Sequence, residues 1–316
     1  MNNKYKAVII GLGNIAWRYD YNLKNKSAIL SHAKAYLNNK NTILAGGYSP
    51  EKKDRIDFEK EYNVGTYDSI DELIAKTNPD IISICSPTQF HFEHLSYCIN
   101  LGIPMIWMEK PLVNNKDELI LLEKLFKTKI KSIIAINFQR RYSKLYNKIK
   151  DEIQQKKYGD LKNIYITYSK GLLNNGSHAV DILFYILNED IFITKVAEDN
   201  HSPSFAAKSA SNIIINFIGL NVDYHCFDII FVFDRARISI VHGGMDYLEE
   251  VKKENELYPG FYKLSFKNNK IINDMDICLL NCLKDLISSY ENNKEPVSNI
   301  NTAYKTQKLV NKILSR

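Results

Sequence analysis

The 316-residue sequence predicts an α/β chain, a doubly wound parallel sheet followed by a second α/β domain with a largely antiparallel, open sheet. Three observations predict it. Short apolar runs alternate with helical patterns through the first 140 residues, and those runs are apolar on both faces, as strands covered by helices on each side must be. Beyond about residue 140 the runs lengthen and begin to alternate apolar with polar residues, as a sheet with one packed face does. Composition allows the cores this requires, since 45% hydrophobic and 25% charged residues with 13 Gly and 8 Pro exclude a disordered, collagen-like or low-complexity chain. At this length one core stops growing, so two domains are expected, here residues 1–138 and 139–316.

The elements follow in order. Residues 5–10 read as a strand, 31–37 as a helix, 42–47 as a strand, 68–76 as a helix, 80–85 as a strand and 90–101 as a helix. A strand at 104–108, a helix at 116–126 and a strand at 132–137 complete the first domain. A charged helix over 143–157 stops at Gly159, and strand patterns follow at 162–169, 211–218, 222–233, 236–241 and 245–251. Helices near 275–291 and 302–315 close the chain, and no internal repeat is visible. Five strands with little helix to cover both faces leave one sheet face for a partner.

The net charge of +6 is interspersed, not massed in an arm, so nucleic-acid binding is not indicated, while an anionic small substrate suits the sign. No apolar run approaches a membrane span, and Gly11 ends the first apolar stretch before a signal core forms. The five cysteines are odd in number and scattered without a Cys-x-x-Cys pair, which fits reduced thiols in a cytoplasm and supports neither a disulfide framework nor a zinc site. His91 and His94 have no acidic or thiol ligand at a useful spacing, so no metal is predicted.

Gly11-Leu12-Gly13-Asn14-Ile15-Ala16 directly follows the first strand and matches the G-x-G-x-x-G/A turn, in which the first glycine bends the chain and the second lets backbone approach a pyrophosphate. Gly11, Gly13, Asn14 and Ile15 are therefore dinucleotide-binding candidates. Trp17 to Asn25 is aromatic and polar and reads as an insertion at the mouth of that site. The second strand ends in Tyr48-Ser49-Pro50-Glu51-Lys52-Lys53 without the carboxylate that grips an NAD ribose. Ser49 with Lys52 or Lys53 would receive the 2′-phosphate of NADP, whereas Glu51 in a shifted register would grip NAD; NADP is slightly favoured. Ser86-Pro87-Thr88, Glu109-Lys110-Pro111 and Asn137-Phe138-Gln139-Arg140 each follow a strand, and in a doubly wound sheet all such ends share one crevice.

With these motifs, with His91, and with Asn174-Asn175-Gly176-Ser177-His178-Ala179-Val180-Asp181 in the second half, the sequence resembles the glucose-fructose oxidoreductase/inositol dehydrogenase (Gfo/Idh/MocA) family over nearly its whole length. The resemblance implies a Rossmann domain, a second domain whose open sheet builds homodimers or homotetramers, and NAD- or NADP-dependent redox at a sugar or cyclitol carbon. It further implies that His91 packs near the cofactor, where a structural cap and a direct role are equally open.

Lys110 precedes a proline, which keeps it out of the helical region and fixes its direction at the strand end. Its ammonium can bond the reacting hydroxyl, and a positive nicotinamide would lower its pKa. Glu109 is either the partner that orients Lys110 or a solvated charge. His178 opens a helix, where a neutral imidazole is favoured, and with Lys110 it is the catalytic candidate for general acid/base work. Asn174 stands where members often carry aspartate, so an Asp-His relay is not expected; Asn174, Asn175 and Arg140 are substrate-binding candidates. The function expected is hydride transfer between nicotinamide and a secondary alcohol or ketone of a sugar-like substrate, with a nucleotide-activated sugar of surface-glycan synthesis first. A NAD-dependent glycosidase of the same fold and a non-catalytic dinucleotide sensor are the alternatives.

Overall fold

The computed structural model describes residues 4–126, 128, 130–197, 201–267 and 274–315. The chain divides into two compact units, one of residues 1–142 with 276–307 and one of residues 143–275 with 308–316. The boundary expected at 138/139 thus lies near residue 142, but residues 276–307 return to the first unit instead of staying with the second.

The first unit contains β1 (Tyr5–Ile10), α1 (Tyr19–Tyr21), α2 (His32–Leu37), β2 (Thr42–Tyr48), α3 (Lys52–Tyr62), β3 (Gly65–Tyr67), α4 (Ile70–Thr77), β4 (Ile81–Ile84), α5 (His91–Asn100), β5 (Met105–Met108), α6 (Lys116–Leu125) and β6 (Ile133–Ile136). Its six strands are parallel in the order β3-β2-β1-β4-β5-β6. Side chains alternate through each strand, so β1 feeds two cores. Ala7 and Ile9 pack with Trp17, Ala33, Tyr36 and Trp107 on one face, while Val8 and Ile10 pack with Leu73, Leu95, Leu119 and Leu122 on the other. Each such fully buried aliphatic side chain contributes roughly 1.5–3 kcal/mol relative to exposure. Local chemistry sets the helix starts: Ser31, Ser69 and Asn115 accept from the backbone N–H of Lys34, Glu72 and Glu118. Asn63 and Asn78, both left-handed, end α3 and α4.

The second unit contains α7 (Lys144–Gln154), β7 (Leu161–Tyr168), α8 (Ser177–Leu187), β8 (Ile191–Val196), β9 (Phe205–Ser209), β10 (Ile214–Gly219), β11 (Phe227–Phe233), β12 (Ala236–Val241), β13 (Asp246–Glu254) and β14 (Tyr262–Phe266). The order is β14-β13-β12-β11-β7-β10-β9-β8, antiparallel except for the β7/β10 pair. Its core joins one sheet face to α7 and α8, with Ile164, Ile166, Ile215, Phe217, Ile229 and Phe231 facing Ile149, Ile182 and Leu183. The strands β8, β9 and β14 are not among the runs read from the sequence: the residues of β8 and β9 do not alternate regularly between apolar and polar, and β14 alternates over only five residues. Tyr165, Ile214 and Ile218, on the opposite face, are exposed at 43%, 51% and 47%. This is the open sheet expected.

Two helices end the chain, α9 (Cys278–Glu291) and α10 (Ile300–Leu314). Leu279, Cys282, Leu283, Leu286 and Ile287 of α9 complete the core that β1 and β5 share, so Cys282 is a core residue. No helix among the described residues is long and apolar enough to cross a membrane.

Candidate active site

Register builds the edge on which the sequence motifs sit. Ile10, the last residue of β1, pairs with Tyr48 and Ile84, Ile84 pairs with Met108, and Met108 with Ile136, so five strands end in one row. The next residue of each motif is tied to its neighbour. Gly11 N–H donates to Tyr48 O at 2.8 Å, Cys85 N–H to Ile10 O at 2.8 Å, Glu109 N–H to Ile84 O at 2.9 Å and Asn137 N–H to Met108 O at 2.8 Å. Sheet order reverses between β1 and β4, the switch point at which ligands bind in such sheets.

Gly11 has φ +89°, and a Cβ there would lie 2.6 Å from Ser86 N and Cα, so no other residue fits between β1 and the Ser86 loop. Gly13 differs. Its φ of −85° is ordinary and a Cβ would meet nothing within 4 Å. The space left in front of the turn into Asn14 and Ile15 is what a close-lying pyrophosphate requires, so these residues fit a dinucleotide. The stretch expected to be an insertion at the mouth is partly core. Trp17 is buried, donates from Nε1 to Leu12 O at 3.0 Å, and packs edge-on against Tyr21, Phe58 and Tyr62. The Asp20 carboxylate accepts from Leu30 N–H and folds the excursion back into α2.

At the end of β2, Ser49 is 3% exposed, and its hydroxyl accepts from Glu51 N–H and faces Asp54 Oδ2 at 3.4 Å. Asp54 in turn is paired with Arg18 at 2.7 Å. Lys52 and Lys53, expected beside Ser49, are exposed at the start of α3, and the charged groups actually gathered here are Asp54, Arg18 and Arg55, whose guanidinium donates to Ser49 O at 2.7 Å and Pro50 O at 2.9 Å. Sequence reading missed the pairing of Arg18 with Asp54, since the two are separated by 36 residues.

Ser86 is buried with its hydroxyl on His94 Nδ1 at 2.9 Å, and Pro87 leads into the turn Thr88–Phe90. His91, a cofactor-binding candidate, is 1% exposed, with Nε2 against Ser86 O at 2.9 Å and Nδ1 against Pro111 O at 2.6 Å. Both ring nitrogens face carbonyl oxygens, and a neutral ring donates to one of them, so His91 sits between the two loops and offers no ring atom to a cofactor in this conformation. Burial holds its pKa below the ordinary histidine value against those two carbonyls, and burial does the same to His94.

Glu109 is no solvated charge. It is buried, and Oε1 accepts from His32 Nε2 at 2.9 Å and Asn137 Nδ2 at 2.5 Å. Burial pushes its pKa up, but these two bonds and the charge of Lys110 outweigh that and hold it below the usual carboxylate range. Lys110 beside it is partly buried. Burial lowers its pKa, Glu109 raises it, Arg140 lowers it again, and the net direction is down. Arg140 is buried in the turn Gln139–Tyr142 that follows β6. The first unit thus brings Gly11, Ser86, Glu109, Lys110, Asn137 and Arg140 to the ends of adjoining strands.

The remaining candidates lie in the second unit. A π-helical turn, Leu172–Gly176, runs into α8. Asn174 is exposed on it, whereas Asn175 is buried, with its Nδ2 making no hydrogen bond among the described residues. His178 and Asp181, one turn apart on α8, are both buried, and Ser177 caps the turn through Leu173 O and Asn174 O.

Residues 5–136 match the sequence profile of the Gfo/Idh/MocA family, described as an oxidoreductase family with an NAD-binding Rossmann fold. A D-glucoside 3-dehydrogenase of Escherichia coli is 21% identical over 150 residues, 43% of this chain and 41% of that protein. A glucose-6-phosphate 3-dehydrogenase of Bacillus subtilis is 22% identical over 233 residues, 67% of this chain and 61% of that protein. The chain therefore spans less than two thirds of the length of these curated relatives. A 3-ketoreductase from Actinomadura kijaniata, solved with TDP-benzene and NADP, shares the fold at TM-score 0.77 and 12% identity, over 98% of this chain and 97% of that one. The glycine turn, the row of strand ends and the profile match over residues 5–136 agree in the first unit, whose Rossmann fold is similar to that of the Gfo/Idh/MocA oxidoreductases.

Proposed function

We propose that the chain is an NAD- or NADP-dependent oxidoreductase that moves a hydride between nicotinamide and a secondary alcohol or ketone of a sugar-like substrate. The observation that carries this reading is Lys110, a lysine of depressed proton affinity in the same row of strand ends as the glycine turn. When bound, the nicotinamide supplies or accepts the hydride. In the oxidative direction the hydroxyl proton passes to Lys110 Nζ or to the His178 ring as the carbon gives up its hydride; in reduction it returns to the new alkoxide. A lysine whose proton affinity is lowered gives up and takes back the proton more evenly than an ordinary one. Arg140, Asn174 and Asn175 are assigned to substrate, Gly11, Gly13, Asn14, Ile15, Ser49, Ser86, Pro87, Thr88 and Asn137 to the cofactor side, and Glu109 and His91 to holding the loops that carry them.

A nucleotide-activated sugar is the first substrate proposed, supported by the excess of positive charge and by the nucleotide bound to the Actinomadura ketoreductase. The scattered cysteines support a cytoplasmic location, and the open sheet of the second unit supports assembly as a homodimer or homotetramer. The test is a panel of sugars, cyclitols and nucleotide sugars with both oxidised cofactors, read as formation of reduced nicotinamide. Net reduction with at least one substrate class is expected. Substrate cleavage without net reduction would replace this reading by a glycosidase, and cofactor binding without any turnover by a sensor.

A further inference from the structure

A chain of hydrogen bonds lies behind the Glu109-Lys110 pair, and local geometry assembles it from three elements. The β4/β5 register places Ser83 beside Trp107, and the pleat turns Trp107 and Glu109 to one face. On α2, His32 and Tyr36 are four residues apart and so share the face that meets these strands. His32 is wholly buried, its ring 3.7 Å from that of Trp107, with Nδ1 2.8 Å from Ser83 Oγ and Nε2 2.9 Å from Glu109 Oε1. Tyr36 OH lies 2.5 Å from the same Ser83 Oγ.

The hydrogens can be assigned in one direction. Glu109, as a carboxylate, only accepts, so His32 Nε2 carries a hydrogen and donates it. In that tautomer Nδ1 accepts from Ser83, whose oxygen then accepts from Tyr36, and burial keeps the Tyr36 phenol protonated. Every donated hydrogen has one acceptor, with the Ser83 hydroxyl both donating to His32 and accepting from Tyr36, and each dipole points its hydrogen toward Glu109 Oε1. Asn137 adds a second donor on the same oxygen.

We propose that His32 is a positioning residue for Lys110: gripped by Ser83 and Tyr36 and backed by Trp107, it orients the Glu109 carboxylate that neighbours the lysine. The proposal rests on the role given to Lys110 above, but its central step, the hold of His32 on Glu109 and the effect of the Glu109 charge on Lys110, belongs to the unliganded protein. The titratable groups within reach of Glu109 are His32, Lys110, His91, Cys85 and Cys282, and Arg140 faces Lys110. Among them Lys110 is the cation next in sequence, and a displaced or neutralised Glu109 removes the charge that raises its proton affinity.

The test measures the pH dependence of acetylation of Lys110 by acetic anhydride in the full-length protein without cofactor, read by mass spectrometry. His32→Leu removes the donor while keeping an apolar body against Trp107, and the Lys110 midpoint should fall by about one unit, the low end for loss of a neighbouring opposite charge. His32→Gln, whose amide can donate to Glu109 again, should return the midpoint toward the native value. An unchanged midpoint in His32→Leu overturns the proposal. If His32→Leu does not fold, Ser83→Ala decides: a smaller fall supports the chain, and no fall overturns it. Because acetylation needs no substrate, a protein inactive on every sugar yet showing these shifts would refute the proposed reaction and leave the positioning role standing.

Discussion

Gly11 and Ser86 meet backbone to backbone, so closely that a Cβ on Gly11 would sit 2.6 Å from the Ser86 nitrogen. Gly11→Ala would combine positive φ with a clash that no side chain can relieve. A loss of about 3 kcal/mol or more of stability is expected. Gly13→Ala places its methyl in open space, so thermal stability should hold while cofactor affinity falls about tenfold or more. Melting curves with and without cofactor check the contrast, which fails if both variants behave alike.

Lys110→Met keeps most of the aliphatic stem and removes the ammonium, and His178→Ala removes the ring. Each should lower turnover about 100-fold or more, the usual scale for a lost acid/base group, with little change in cofactor affinity. Steady-state kinetics beside a cofactor titration separates the outcomes. Normal turnover in both would show that the proton goes elsewhere.

Burial lowers the pKa of both His91 and His94 in the folded chain. The unfolded chain then binds protons first, so their contribution is full above the ordinary histidine pKa of about 6.5 and is lost as pH falls from there toward the folded values. The melting temperature should therefore decline between pH 7 and 5, and His94→Gln, which cannot charge, should flatten the decline. Glu109, held below the carboxylate range, loses its contribution only at lower pH, as it is protonated. A flat native profile from pH 7 to 5 would count against the buried histidines as the source.

The Asp54 carboxylate beside Ser49 should repel a 2′-phosphate, with Arg18 partly compensating. Asp54→Asn removes that repulsion and leaves Arg18 with only its longer pairing to Asp57 at 3.7 Å, so affinity for NADPH relative to NADH should rise about tenfold, equivalent to roughly 1.4 kcal/mol. Fluorescence titration with both nucleotides reads the ratio. An unchanged ratio would place the 2′ position away from Asp54.

Tyr165 and Ile218 stand on the open face of the second sheet. Replacing Ile218 by Lys should shift the proposed dimer or tetramer to smaller species in sedimentation, without a loss of melting temperature beyond that of dissociation. A native monomer at micromolar concentration would overturn the proposed assembly.

The sequence alone determined the alternation of elements, the glycine turn after β1 and the positions of Ser86, Lys110 and Asn137 at strand ends, because each depends on neighbours within a few residues. Periodicity, turn chemistry and the restriction before a proline are local, and local rules can be read along a chain. It left open whether Glu109 is solvated and hid His32, whose only visible mark is its place after the capping Ser31. The tie from His32 to Glu109 crosses 77 residues and that from Arg18 to Asp54 crosses 36, and neither leaves a repeat or a spacing to detect. Likewise α9 looks like any amphipathic helix until packing places Leu283 and Leu286 in the core of the first unit. Only the tertiary structure decided these, because burial and hydrogen-bond partnership are set by which distant surfaces the sheet brings together.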